Sequence, residues 1–84
     1  MYEIIAKKSV RRKIEWYVDR RGDVSKKLER LCVNPRRNCG AHPLHGDLKG
    51  KWGCWLGSNI RLVYTIDDNK KLIIAHSIGT HKVY

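Results

Sequence analysis

The sequence predicts an α+β fold in which an N-terminal strand leads into a two-helix hairpin packed on one face of a mainly antiparallel sheet. Two changes of hydrophobic period and one change of composition predict it. The first part of the chain repeats its apolar residues at helical spacing, the last part alternates them at period two, and a stretch rich in Pro and Gly lies between. With 84 residues, residues 1–84 form a single domain, because a chain this short cannot divide its core.

Residues 2–6 are apolar and partly β-branched and read as the first strand. From Ser9 the spacing changes, and Val10, Ile14, Tyr17 and Val18 fall on one stripe of a helix whose other face carries Lys, Arg and Glu. Gly22 breaks that helix. Asp23 is then the expected N-cap of a second one, in which Val24, Leu28, Leu31 and Cys32 repeat the spacing until Asn34-Pro35 stops it. Residues 34–50 contain Pro35, Pro43, Gly40, Gly46 and Gly50 and read as irregular connection. Three strands follow, over residues 51–56, 60–66 and 71–78, with turns at 57–59 and 67–70, giving the order βααβββ. In the middle strand Ile60, Leu62, Tyr64 and Ile66 share one face, and Arg61, Val63 and Thr65 share the other.

Lys and Arg total 18 against 8 Asp and Glu, a formal charge of +10. That excess attracts polyanions over long range, so nucleic acid, an anionic surface or an acidic protein could answer it. Hydrophobic residues at 42% and charged residues at 31% supply a modest core and exclude a disordered chain. No apolar run approaches the ~18 residues of a membrane span, and the start shows no export signal, so the expected location is the cytoplasm and the expected partners include no membrane. In a reducing compartment Cys32, Cys39 and Cys54 stay thiols.

Four histidines could carry chemistry. His76 continues the alternation of Leu72, Ile74 and Ile78 and is expected to be a partly buried packing residue. His42 and His45 lie in the irregular connection and His81 follows the last strand, where packing does not ask for imidazole. Two such rings, titrating near pH ~6.5, can divide general-base and general-acid duties at a phosphate. Cys39, His42 and His45, with Cys54 further on, raise a zinc reading, but the spacing fits no common finger. Cys54 alternates with Trp52 and Leu56 and reads as a core thiol. Arg61 is a guanidinium in an otherwise apolar strand, which costs desolvation unless it has a partner or faces a cleft. Lys49, Lys51, Trp52 and Trp55 stand at the entrance to the same sheet, and cation with aromatic is a way to grip unstacked bases.

Taken together, His42-Pro43-Leu44-His45-Gly46-Asp47-Leu48-Lys49-Gly50, then Arg61-Leu62-Val63-Tyr64, then Ile78-Gly79-Thr80-His81-Lys82-Val83-Tyr84 resemble the RelE-like toxins of bacterial type II toxin-antitoxin modules, especially their YoeB and YafQ branches. The resemblance implies the RelE/ParE-like microbial ribonuclease fold and a ribosome-dependent endonuclease that cleaves mRNA in the A site of the 70S ribosome. It implies no metal or other cofactor. It further implies a cognate, RelB-like antitoxin, and an acidic, partly disordered partner is physically suited to wrap a +10 surface.

By the same resemblance His42 is the general base, Arg61 clamps the phosphate, His81 is the general acid, and Tyr84 stacks or hydrogen-bonds near the scissile nucleotide. His45, Lys49, Lys51 and Trp55 are the expected RNA-binding residues. The sequence departs from the family pattern in three places. Trp55 stands where YoeB-like members carry Arg and YafQ-like members His, Asn59 replaces an acidic residue, and one residue fewer separates His81 from Tyr84 than in YafQ. The ParE branch of the same fold poisons DNA gyrase, which, with a non-catalytic RNA-binding module, is the competing expectation.

Overall fold

In the computed structural model, which describes residues 1–57 and 59–80, strand β1 (Glu3–Ala6) leads into helix α1 (Lys8–Arg20) and helix α2 (Gly22–Val33). Val10, Ile14, Tyr17 and Val18 do form one stripe, and all four pack against the core while the charged face stays in solvent. Arg21 alone separates the helices: its backbone is extended, and its N–H closes the end of α1 on the carbonyl of Tyr17. The break thus falls at Arg21, one residue before the expected Gly22, which opens α2 instead. Asp23 is not the N-cap. It sits in the first turn of α2, where a negative charge suits the helix dipole, and accepts a 3.0 Å hydrogen bond from Arg21 Nη2.

The connection is more regular than its composition suggests. Residues His42–Pro43 form a short strand, β2, that the Pro and Gly content concealed, and it pairs antiparallel with β3 (Trp52–Trp55). Strands β4 (Arg61–Asp67) and β5 (Leu72–Gly79) complete the meander. The sheet order is β1-β5-β4-β3-β2, with β1 parallel to β5 and every other pair antiparallel.

Both helices cover one face. Val24 and Leu31 from α2 meet Cys54, Leu56, Ile60, Leu62, Tyr64, Ile73, Ala75 and Ile78 in a single core. Burial pushes the Cys54 thiol up to about 12, so it is an inert packing group, as its alternation suggested. Tyr64, fully buried, donates its hydroxyl to the carbonyl of Pro35 at 2.6 Å and so ties the connection to the middle of the sheet. At the rim, Arg36 grips the Asp68 carboxylate through both terminal nitrogens, at 3.0 and 2.8 Å, and Tyr2 donates its hydroxyl to the same group.

The alternation in β5 does not run through. Tyr64 opposes Ala75 whereas its neighbour Val63 opposes Ser77, which leaves His76 as the extra residue of a β-bulge. The buried residues consequently change phase, from Ile73 and Ala75 before the bulge to Ile78 after it. His76 precedes that change and shares the face of Leu72 and Ile74, away from Ile73 and Ala75, so it is exposed, against the sequence expectation of a packing residue.

Candidate active site

The helices leave the other face of the sheet open, and register decides which side chains stand on it. Residues directly opposite in neighbouring strands share a face. His42 opposes Gly53, Gly53 opposes Val63, and Trp55 opposes Arg61, so His42, Trp55 and Arg61 stand on one side, away from the core face of Leu62 and Tyr64. From His42 to Arg61 the sheet spans two strand spacings, about 10 Å, and two residues along β4, about 7 Å. Gly53 and Val63, both buried, lie between them.

A chain of contacts fixes these groups relative to one another. Cys39 adopts a left-handed backbone, φ 61°, its thiol donating to the carbonyl of Lys27 at 3.1 Å, and Gly40 follows at φ 65°. The two left-handed residues turn the Gly40 carbonyl to His42 Nδ1, 3.0 Å away. A carbonyl only accepts, so Nδ1 carries a hydrogen, and in the neutral form of the ring the lone pair is on Nε2. On its other side Gly40 lies against the Trp55 indole: a Cβ there would come within 3.0 Å of Cδ1. The face of that indole carries the Arg61 guanidinium, 4.0 Å from the ring centroid. One backbone residue thus orients the imidazole and backs the ring on which the guanidinium rests.

Trp55 accordingly has a face covered by Arg61 and an edge against Gly40, and is half-buried. His45 is exposed at the start of a short helical turn, Gly46–Leu48, and lines a surface groove with Leu44, Asp47 and Leu48. Lys49 is exposed beyond that turn, and Lys51 is half-buried just before β3. His81 and Tyr84 lie outside the described residues. Among the described residues, no three His, Cys, Asp or Glu side chains converge as a metal site would require. Burial also raises the Cys32 and Cys39 thiols, which are poor nucleophiles in consequence.

The residue that sequence reasoning misjudged is His76. Its Nε2 lies 2.9 Å from Thr65 Oγ1 on the open face, and burial first, then Lys51 and Lys7, lower its pKa. A bulge has no periodic signature, so only the polarity of one residue in an apolar alternation pointed to it.

No protein-family model matches the sequence, and neither does any curated protein. Solved structures do match. A chain of the Staphylococcus aureus YoeB-YefM complex superposes with a TM-score of 0.74 at 23% identity, covering 96% of this chain and 98% of that one. The chain has the fold of the YoeB and YafQ toxins. A YoeB/ParE toxin from Agrobacterium tumefaciens gives 0.75 at 19% identity over 96% and 99% of the two chains, and Escherichia coli YafQ gives 0.68 at 20% over 98% and 96%. The strand, two helices and five-stranded mixed sheet of the YoeB-like fold are those expected from the sequence, apart from the short β2. No helix among the described residues is long and apolar enough to cross a membrane.

Proposed function

We propose that this protein is the toxin of a type II toxin-antitoxin module, a metal-independent endoribonuclease that cuts mRNA in the ribosomal A site. The observation that carries the reading is the linked set His42, Gly40, Trp55 and Arg61 on the open face of a sheet with the YoeB and YafQ fold. An imidazole whose Nδ1–H is held, so that its neutral form presents Nε2 as base, and a guanidinium held over a ring are the two groups that phosphodiester cleavage by an internal hydroxyl needs first.

In this mechanism His42 Nε2 takes the proton of the ribose 2′-hydroxyl. The 2′-oxygen attacks the adjacent phosphorus while the bond from phosphorus to the 5′-oxygen breaks, and His81 gives that oxygen its proton. The products are a 2′,3′-cyclic phosphate and a 5′-hydroxyl. Arg61 donates to the non-bridging oxygens as their charge grows, and Tyr84 stacks on a flanking base. Lys49, Lys51 and His45 draw in the strand, and Trp55 acts through the guanidinium it supports. The partner that silences the protein is an acidic, partly disordered antitoxin, a reading supported by the charge of +10 and by the assembly of similar chains with YefM and DinJ.

The test is in vitro translation of a defined message with the purified protein, mapping cut positions and end chemistry. In-frame cuts with the ends named above, unaffected by EDTA and lost in His42→Ala, Arg61→Ala and His81→Ala, are expected. A folded protein that leaves the message intact but inhibits gyrase supercoiling would overturn the reading in favour of the ParE-like activity.

A further inference from the structure

The open face continues past the His42 and Arg61 set. Thr65 lies two residues, about 7 Å, along β4 from Val63 and about 13 Å from Arg61, and its hydroxyl meets His76 Nε2 at 2.9 Å. Lys51 precedes Trp52, whose partner is Tyr64, and so stands beside Thr65. Lys7, where β1 passes into α1, lines with His76 a surface depression floored by Ile5, Ala6, Ile74 and Ala75. Position 76 follows the phase of Ile74, which opposes Thr65, so the imidazole stands on this face, and the bulge sets it between Ala75 and Ser77 with no partner residue of its own in β4.

We propose that His76, Thr65 and Lys51 form a second phosphate-binding subsite, which holds a phosphodiester flanking the scissile one on the same RNA strand. The identity of the ligand rests on the ribonuclease reading. The geometry supplies a fixed positive charge, a hydroxyl and an imidazole on one patch, and the charged groups acting on His76 are both cations, Lys51 from the β3 side and Lys7 from the β1 side. With the ring N–H donating to Thr65 Oγ1, the Thr65 O–H is left to donate outward, and a donor flanked by positive charge suits an anionic oxygen. An extended strand seated at Arg61 runs along β4 toward Thr65 and reaches this patch next.

The experiment uses a short single-stranded RNA with a 2′-deoxy residue at the cut site, so that it binds without being cleaved. Each phosphate in turn is replaced by an uncharged methylphosphonate, and affinity is read by fluorescence anisotropy across a salt series. For the wild type, one flanking methylphosphonate is expected to cost about tenfold or more, the size of one charge-assisted hydrogen bond. In His76→Ala and Lys51→Ala that same replacement should cost less than twofold, and Lys51→Ala should flatten the log-log salt dependence by about 0.7. His76→Gln, which keeps a donor toward Thr65, should fall between. Variants that bind the unmodified strand as the wild type does, or suffer the full penalty at every position, would overturn the subsite, as would a wild type that binds no RNA. Cleavage during translation with no such coupling leaves the ribonuclease reading standing and removes the subsite. Coupling without cleavage does the reverse.

Discussion

Arg61 combines two tasks that a lysine cannot combine. Its planar fork rests on the Trp55 ring at 4.0 Å and presents paired donors that match phosphate oxygens. Arg61→Ala should lower cleavage about 10²- to 10³-fold, the usual cost of removing one transition-state donor, and Arg61→Lys should restore only a small part. Single-turnover rates, with circular dichroism to show that the fold survives, check this. Tyr64→Phe acts on stability, because it strips the buried Pro35 carbonyl of its 2.6 Å donor; a loss of about 1–3 kcal/mol is expected in urea unfolding. Asp68 gives a pH-dependent effect. The Arg36 fork, and then the Tyr2 hydroxyl, hold its carboxyl down at about 2, so the folded state gains from this group above the ordinary carboxylate range and loses the gain as pH falls through about 2. Asp68→Asn should therefore melt lower than the wild type at pH 7, with the difference closing toward pH 2. Of these residues Arg61 was legible as an isolated charge in an apolar strand; the clamp on Asp68 was not, since it joins three distant parts of the chain that no local pattern relates.

At the level of elements, the helices and the meander were legible because each is long enough to show a period. The short strand His42–Pro43 was not, because two residues have no period, and its pairing is decided by what β3 offers opposite. The bulge at His76 escaped for a related reason: it is a phase change, and Leu72, Ile74 and Ile78 are apolar in either phase. His42 was found by its sequence neighbourhood, but its orientation comes from the left-handed turn before it. That turn can be tested directly. Gly40→Ala places a methyl group 3.0 Å from the Trp55 ring in a backbone conformation that disfavours side chains and should cost about 1–2 kcal/mol. Because the same residue backs Trp55 and holds His42, cleavage should fall by more than the stability loss explains. Activity measured well below the melting temperature separates the two effects.

Over the whole molecule, one face of the sheet is spent on the core and the other carries His42, Trp55, Arg61, Thr65 and His76. The +10 excess makes binding to single-stranded RNA salt-dependent, and three phosphate contacts would give a log-log slope of about −2. A flat dependence would mean that the charge serves another partner. The same topology governs when this face can exist at all. Among the described residues β1, made first, has its only ladder along β5, residues 3–6 against 72–75, and Ile73, Ala75 and Ile78 close the core under both helices. Long-range pairing of this kind delays folding until the distant partner is present. During synthesis, then, the helical hairpin can emerge and wait, but the sheet cannot assemble behind it until the last strand has left the exit tunnel. A chain that is proposed to halt ribosomes lacks, by this order of assembly, its completed sheet until β5 has emerged.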